Sequence, residues 1–85
     1  MDERELLRRI ITGSTQNVRF SDFVSLVRAL GFEEARARGS HRIFRNGRIR
    51  KSLNLQPVRG EAKAYQIRQL VELVEEYDLR LEDGR

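Results

Sequence analysis

The sequence of 85 residues contains no cysteine, no tryptophan, one proline and one histidine. Without cysteine the chain has no disulfide framework and no thiolate zinc site. The histidine, His41, has no carboxylate close to it in sequence, so a transition-metal centre would lack ligands. We therefore expect neither a metal nor a cofactor.

The chain also lacks a long apolar run. No segment approaches the roughly 20 apolar residues that a membrane-spanning helix requires. The first residues, MDERELLRRIITG, mix acidic and basic side chains before any apolar run, unlike a secretory signal. We expect a cytoplasmic protein with no membrane partner.

Length and composition indicate one folded unit. A chain this short cannot support two independent hydrophobic cores, and 39% hydrophobic with 35% charged residues is typical of a globular protein. We expect a single domain over residues 1–85, with an N-terminal helix and connector in residues 1–19 and the main core in residues 20–81.

Positive charge is concentrated in the middle of the chain. The net charge is only +4, yet residues 36–68 contain ten basic side chains and one carboxylate, Glu61. Seven of the basic residues lie between Arg36 and Lys51, around His41, with no carboxylate among them. This distribution predicts a surface that binds a polyanion. A nucleic-acid backbone is the obvious polyanion, because an arginine can donate hydrogen bonds to two phosphate oxygens at once.

Apolar residues at helical spacing predict three helices. The first ends at Gly13, and the second begins at a cap on Ser21 or Asp22 and ends at Gly31. The third covers residues 65–77 and has an acidic exposed face.

Between the second and third helices the apolar period changes to two, which predicts strands. Residues 32–38 form the first, and Gly39-Ser40 interrupts it. Asn46-Gly47 is a strong signal for a two-residue hairpin turn between the second and third strands. The order α-α-β-β-β-α predicts an α+β fold with helices on one face of a three-stranded antiparallel sheet.

A turn at Asn46-Gly47 also predicts the pairing of the hairpin. Arg45 would lie opposite Arg48 and His41 opposite Ser52, and alternation then divides the hairpin into two faces. The inner face carries Phe44, Ile49, Leu53 and Leu55. The outer face carries His41, Ile43, Arg45, Arg48, Arg50, Ser52 and Asn54. Opposed arginines repel, so we expect phosphate groups to screen them.

The residue pattern alone supports polyanion binding and no more. A lone histidine in a strand is more often an ordinary residue than a catalyst, and a basic hairpin is often only a solubilising surface. Tyr65 and Tyr77 are expected to be packing aromatics rather than platforms for base stacking.

Residues 39–44, Gly-Ser-His-Arg-Ile-Phe, carry a G-S-H-x-x-F signature that resembles the HicA family of toxins, small RNA-cleaving partners of HicB antitoxins. The segments LVRALGF at residues 26–32 and KAYQIRQL at residues 63–70 fit the same resemblance, which covers Phe20 to about Leu81. The chain departs from the family pattern at Arg42, where many members have a second histidine, in residues 52–56, and at Ala64, where a proline often opens the last helix.

The resemblance implies a double-stranded-RNA-binding-domain-like fold and cleavage of mRNA without a required metal. It also implies a catalytic histidine at His41 and a HicB-like antitoxin that covers the active surface. The candidate RNA-binding residues are Ser40 and the basic residues around His41, namely Arg36, Arg38, Arg45, Arg48, Arg50 and Lys51.

In the predicted mechanism His41 is the general base that takes the proton of an RNA 2′-hydroxyl, because the ordinary pKa of histidine, about 6.5, lies near cytoplasmic pH. Arginines hold the backbone and stabilise the transition state. No nearby group titrates suitably as the general acid, so His41 itself or water would protonate the leaving oxygen, and we expect a slow enzyme.

Two alternatives fit the same basic surface. The first is a non-catalytic RNA-binding module with a double-stranded-RNA-binding-domain-like fold, which recognises duplex RNA by shape and phosphate contacts. The second is an interaction protein whose basic face meets an acidic protein partner.

Overall fold

The computed structural model describes residues 1–81, which form three helices and three strands. In chain order these are α1 (Glu3–Ile11), α2 (Phe20–Ala29), β1 (Glu33–Arg38), β2 (His41–Asn46), β3 (Lys51–Leu55) and α3 (Ala64–Tyr77). The strands form one antiparallel sheet with β2 in the centre. The predicted α+β class and element order are confirmed, and the arrangement is compatible with a double-stranded-RNA-binding-domain-like fold.

The core lies between the helices and the inner face of the sheet. Phe44 from β2 and Leu53 and Leu55 from β3 are at most 3% exposed, and they belong to one buried cluster with Phe23 of α2 and Ile67 of α3. Because these strand residues alternate with exposed ones, one face of the sheet is covered and the other is open.

The N-terminal helix is part of this core. Leu6 and Ile10 of α1 are each 1% exposed and join the same buried cluster as α2 and α3. Asp2 caps the helix, since its Oδ1 accepts a hydrogen bond from the backbone N–H of Arg4 at 2.9 Å. Among residues 1–81, none of the helices has the length and apolar character of a membrane span.

Helix α2 begins before its predicted caps. It starts at Phe20, directly after Arg19, so Ser21 and Asp22 lie within its first turn. The Phe20 N–H donates to the carbonyl oxygen of Gly60 at 2.8 Å. The prediction of a cap on Ser21 or Asp22 is therefore wrong, because a backbone contact from a distant loop satisfies this end of the helix.

The predicted register of the β2–β3 hairpin is also wrong, by four residues. Phe44 pairs with Leu53 and Arg45 with Ser52, so residues 47–50 form the loop. Four is an even number, and a shift by an even number leaves every strand side chain on its predicted face. Arg48 and Arg50, however, lie in the loop rather than on the outer face of the sheet.

Asn46 explains the longer loop. Its side chain is 1% exposed, and its Nδ2 donates to the carbonyl oxygen of Leu30, just after α2, at 3.3 Å. Its Oδ1 accepts a hydrogen bond from the Arg48 N–H at 3.0 Å. Asn46 is therefore the buried last residue of β2, and the chain reverses through residues after it, including Arg50 with a left-handed φ of 56°.

Candidate active site

A β-bulge in β1 places two arginines on the same face as His41. Glu34 pairs with Phe44 on the inner face, and the next pair joins Arg36 to Ile43 on the outer face, so Ala35 is the extra residue. With regular alternation, residues 34, 36 and 38 would all lie on one face. Because of the bulge, Arg36 and Arg38 lie on the outer face, and Arg38 is directly opposite His41.

The outer face of the sheet is polar, basic and largely exposed. Its exposed members are Glu33, Arg36, Arg38, His41, Arg45, Ser52 and Asn54, and Ile43 between them is partly buried. Within residues 1–81 none of the three arginines on this face forms an ion pair. The guanidinium groups are therefore available to an anionic ligand.

The side chain of His41 is exposed and makes one hydrogen bond within residues 1–81. Its Nδ1 lies 3.3 Å from Oδ1 of Asn54, which follows Leu53 on β3 and shares the outer face. An amide oxygen only accepts hydrogen bonds, so this contact favours the tautomer of the neutral imidazole that carries its hydrogen on Nδ1 and its lone pair on Nε2. This tautomer leaves Nε2 as an oriented acceptor, which is what a general base requires.

A chain of side-chain hydrogen bonds runs from the turn before His41 to the start of α3. Gln56 Nε2 donates to Ser40 Oγ at 2.8 Å, and Lys63 Nζ donates to Gln56 Oε1 at 3.2 Å. Folding thus places the cation of Lys63 close to the β1–β2 turn. Neither Gln56 nor Lys63 was predicted as a site residue, because only tertiary structure joins them to Ser40.

Gln66 fixes the edge of β3 beside this chain. It is 3% exposed, its Nε2 donates to the Asn54 carbonyl oxygen at 3.1 Å, and its Oε1 accepts a hydrogen bond from the Gln56 N–H at 3.2 Å. The side-chain amide pairs with the strand edge much as a neighbouring strand would. It therefore supports the backbone of Asn54, whose side chain contacts His41.

The predicted RNA-binding residues fall into separate groups. Arg36, Arg38 and Ser40 lie toward the His41 end of β2, Arg45 lies near its other end, and the loop carries the remaining cations, Arg48 and Arg50, with Lys51 directly after it. His41 and Asn46 mark the two ends of β2, which are about 17 Å apart at the rise of an extended strand. The predicted register would have made Arg48 and Arg50 neighbours of His41. In the structure they lie in the loop, away from it.

Arg42 lies on the inner side and has structural partners. Its Nε and Nη2 donate to the two carboxylate oxygens of Glu34, each at 2.9 Å, and its guanidinium lies over the rings of Phe44 and Phe20. This hydrogen bonding lowers the pKa of Glu34 below its ordinary value, and Glu34 in turn raises the pKa of Arg42. Arg28 adds a contact to the same carboxylate at 3.2 Å. The cluster links β1, β2 and α2 beneath the site.

A comparison with known protein families identifies the family of the chain. A sequence model of the HicA toxin of bacterial toxin-antitoxin systems matches residues 20–75, which is more than half of the chain and includes the whole sheet with His41. The chain belongs to the HicA toxin family. As a HicA toxin it is the toxin of a bacterial toxin-antitoxin system, and toxins of this family pair with an antitoxin.

The predicted resemblance to the HicA family is thus confirmed. Helix α1 of this HicA toxin lies outside the matched residues, although it contributes to the core. No curated protein and no solved structure gives a significant match to the chain. Within residues 1–81 no group of three or more histidine, aspartate or glutamate side chains is arranged to hold a metal ion.

Proposed function

We propose that this HicA toxin is a metal-independent endoribonuclease that cleaves mRNA with His41 as the general base. The observation that carries the proposal is the contact between His41 Nδ1 and Asn54 Oδ1 at 3.3 Å. It orients an exposed imidazole with Nε2 free, on a face whose arginines have no ion-pair partner within residues 1–81.

In the proposed reaction, Nε2 of His41 accepts the proton of a ribose 2′-hydroxyl. The 2′-oxygen attacks the adjacent phosphorus, and the bond to the 5′-oxygen of the next nucleotide breaks, which leaves a 2′,3′-cyclic phosphate and a 5′-hydroxyl. Arg36 and Arg38 share the outer face with His41 and would stabilise the negative charge that develops on the phosphate oxygens.

The leaving 5′-oxygen must also receive a proton. His41 can return the proton that it took, or water can supply one, and neither route has a dedicated acid held in place for it. We therefore expect a slow enzyme compared with nucleases that use separate acid and base groups. A slow rate is still harmful to a cell when every message is a substrate.

Cleavage of single-stranded RNA by the purified protein in EDTA tests the proposal. The His41→Ala variant should cleave at least about 100-fold more slowly, since a positioned base contributes that much, while its RNA affinity stays close to that of the parent. DNA of the same sequence should bind without being cut. A His41→Ala variant as fast as the parent would show that His41 is not the base.

The same assay separates the proposal from its alternative, a non-catalytic RNA-binding module of the double-stranded-RNA-binding-domain-like fold. RNA that is bound with a steep salt dependence but never cut would support the alternative. The open, basic outer face favours RNA contact under both functions, so binding alone does not distinguish them.

We further propose that the toxin acts in the cytoplasm and that its antitoxin is HicB-like and covers the outer face. Expression of the parent should then stop growth, whereas His41→Ala should not. Co-expression of an antitoxin from the neighbouring reading frame should restore growth and should block RNA binding in the purified complex. An antitoxin that binds while RNA remains bound would contradict the proposed covering of this face.

A further inference from the structure

We propose that Lys63 and Tyr65, at the start of α3, form a nucleotide-binding subsite beside His41 for single-stranded RNA. In this subsite the ammonium group of Lys63 contacts a backbone phosphate and the ring of Tyr65 stacks on a base. The inference rests on the proposed function, because it assigns further substrate contacts at the same site.

The exposure of Tyr65 is the first observation. Tyr65 is 51% exposed to solvent, whereas each of the four phenylalanines is at most 8% exposed. The expectation that Tyr65 is a packing aromatic is therefore wrong, while Tyr77 is partly buried, as expected. An aromatic ring on a helix, open to solvent, can stack on any nucleobase, and such stacking contributes about ten-fold or more to affinity.

The position of Tyr65 is the second observation. Its hydroxyl lies 3.5 Å from Gln66 Nε2, and the same nitrogen donates to the Asn54 carbonyl oxygen at 3.1 Å. Asn54 in turn contacts His41 through its side chain at 3.3 Å. Three consecutive contacts therefore connect the tyrosine to the imidazole, which places both at the same end of β3.

The surroundings of Lys63 are the third observation. Its ammonium lies 3.2 Å from Gln56 Oε1 and 5.9 Å from the centre of the Tyr65 ring, and it has no ion-pair partner among residues 1–81. A neutral amide leaves its charge uncompensated, and two of its three hydrogens remain for phosphate oxygens. Gln56 also holds Ser40, so the cation is tied to the residue next to His41.

These contacts define the kind of substrate. A base can stack on Tyr65 only when it is free of its own helical stack, so the subsite selects single-stranded RNA rather than duplex RNA. Lys63 adds a phosphate contact, which makes affinity fall as salt rises.

The experiment uses proteins that also carry His41→Ala, so that RNA stays intact, and measures binding to a short single-stranded RNA containing the fluorescent base 2-aminopurine. Tyr65→Leu should weaken RNA binding about ten-fold and remove the fluorescence quenching that stacking produces, while Tyr65→Phe should keep the affinity and the quenching.

Lys63→Gln should weaken RNA binding and reduce its salt dependence, while Lys63→Arg should keep the affinity and the salt dependence of the parent. Arg68→Gln is the matched control, because Arg68 is an exposed α3 cation that lines a different cleft, with Ile10 and Ile11 of α1.

Equal affinity of Tyr65→Leu, Lys63→Gln and the Arg68→Gln control would overturn the subsite, even if the parent cleaves RNA. Duplex RNA bound as tightly as single-stranded RNA by the His41→Ala protein would also overturn it. Conversely, a parent that never cleaves would contradict the ribonuclease function, while loss of binding in Tyr65→Leu would still support the subsite. Thermal melting of each variant by circular dichroism shows that it is folded.

Discussion

At the scale of single residues, the contact with Asn54 bears on which nitrogen of His41 is free to accept a proton in the proposed reaction. Oδ1 of Asn54 accepts a hydrogen bond from Nδ1, which favours the tautomer of the neutral imidazole whose Nε2 is free. The amide also limits rotation of an exposed ring. Under the proposed function Asn54 is a positioning residue, and its loss should affect the rate of the chemical step more than the binding of RNA.

We expect Asn54→Ala to lower kcat about ten-fold with little change in KM, because the base is then present but not oriented. Asn54→Asp should instead move the acidic limb of the pH–rate profile to higher pH, since a carboxylate stabilises the imidazolium. Steady-state kinetics across pH measure both effects. An unchanged kcat in Asn54→Ala would mean that the contact does not position the base.

Gly39, in the turn that leads to His41, has a φ of 60°, and a Cβ built there would meet nothing within 4 Å. Gly39→Ala should therefore lower the free energy of unfolding by about 1 kcal/mol, because only the left-handed backbone conformation opposes the alanine. Urea unfolding of the two proteins measures it. A loss of several kcal/mol would indicate a steric conflict that the open surroundings of this glycine do not predict.

At the scale of secondary-structure elements, apolar periodicity predicted the helices and strands correctly. The start of α2 and the length of the hairpin loop depend on contacts that are distant in sequence, and these were not predicted. The three helices and the three-stranded sheet follow from apolar spacing. The side chains of β2 and β3 lie on their predicted faces despite the wrong register, because the register differs by an even number of residues. The start of α2 depends on Gly60, and the hairpin loop depends on the contact of Asn46 with Leu30. Neither partner is close in sequence, so local turn and cap signals gave the wrong answer.

The candidate site shows the same division. The signature around His41 is contiguous, so a family resemblance could identify it from residues 39–44. Asn54, Gln56 and Lys63 approach the turn only after the sheet and α3 have assembled. Polar residues of these types are common on protein surfaces, and no local pattern distinguishes them.

The ion pair between Glu34 of β1 and Arg42 of β2 should make stability depend on acid pH. Hydrogen bonding from Arg42 lowers the pKa of Glu34 below its ordinary 4.5, so the folded state binds its proton less readily than the unfolded state. This contribution is complete above pH 4.5 and is lost as the pH falls through the lowered pKa of the folded state.

The free energy of unfolding, measured in urea at pH 7 and pH 3, should therefore fall less on acidification in Glu34→Gln than in the parent. Glu61→Gln serves as the control, because Glu61 is exposed and forms no ion pair with residues 1–81. The same acid sensitivity in Glu34→Gln and in the parent would contradict the role of this pair.

At the scale of the whole molecule, the basic surface has two parts with different expected roles. Arg36 and Arg38 share a face with the His41 imidazole, whereas Arg48 and Arg50 lie in the loop beyond the other end of β2. Charge near the reacting phosphate stabilises the transition state, while distant charge only helps to hold the RNA backbone.

We expect the double variant Arg36→Gln/Arg38→Gln to lower kcat for RNA cleavage by ten-fold or more. The matched pair Arg48→Gln/Arg50→Gln should raise KM and reduce the salt dependence of binding with little effect on kcat. Steady-state kinetics at several salt concentrations compare the two pairs. A loss of kcat in the Arg48/Arg50 pair, with only a raised KM in the Arg36/Arg38 pair, would show that the reacting phosphate does not lie at the His41 end of β2.

The chemical ends that RNA cleavage leaves in EDTA test whether His41 activates the 2′-hydroxyl. The parent should leave a 2′,3′-cyclic phosphate and a 5′-hydroxyl, should not cut an RNA with a 2′-deoxy sugar at the scissile nucleotide, and should cleave at least about 100-fold faster than His41→Ala. Cutting of the 2′-deoxy substrate, or a His41→Ala variant as active as the parent, would contradict the role of His41 as the base that activates the 2′-hydroxyl.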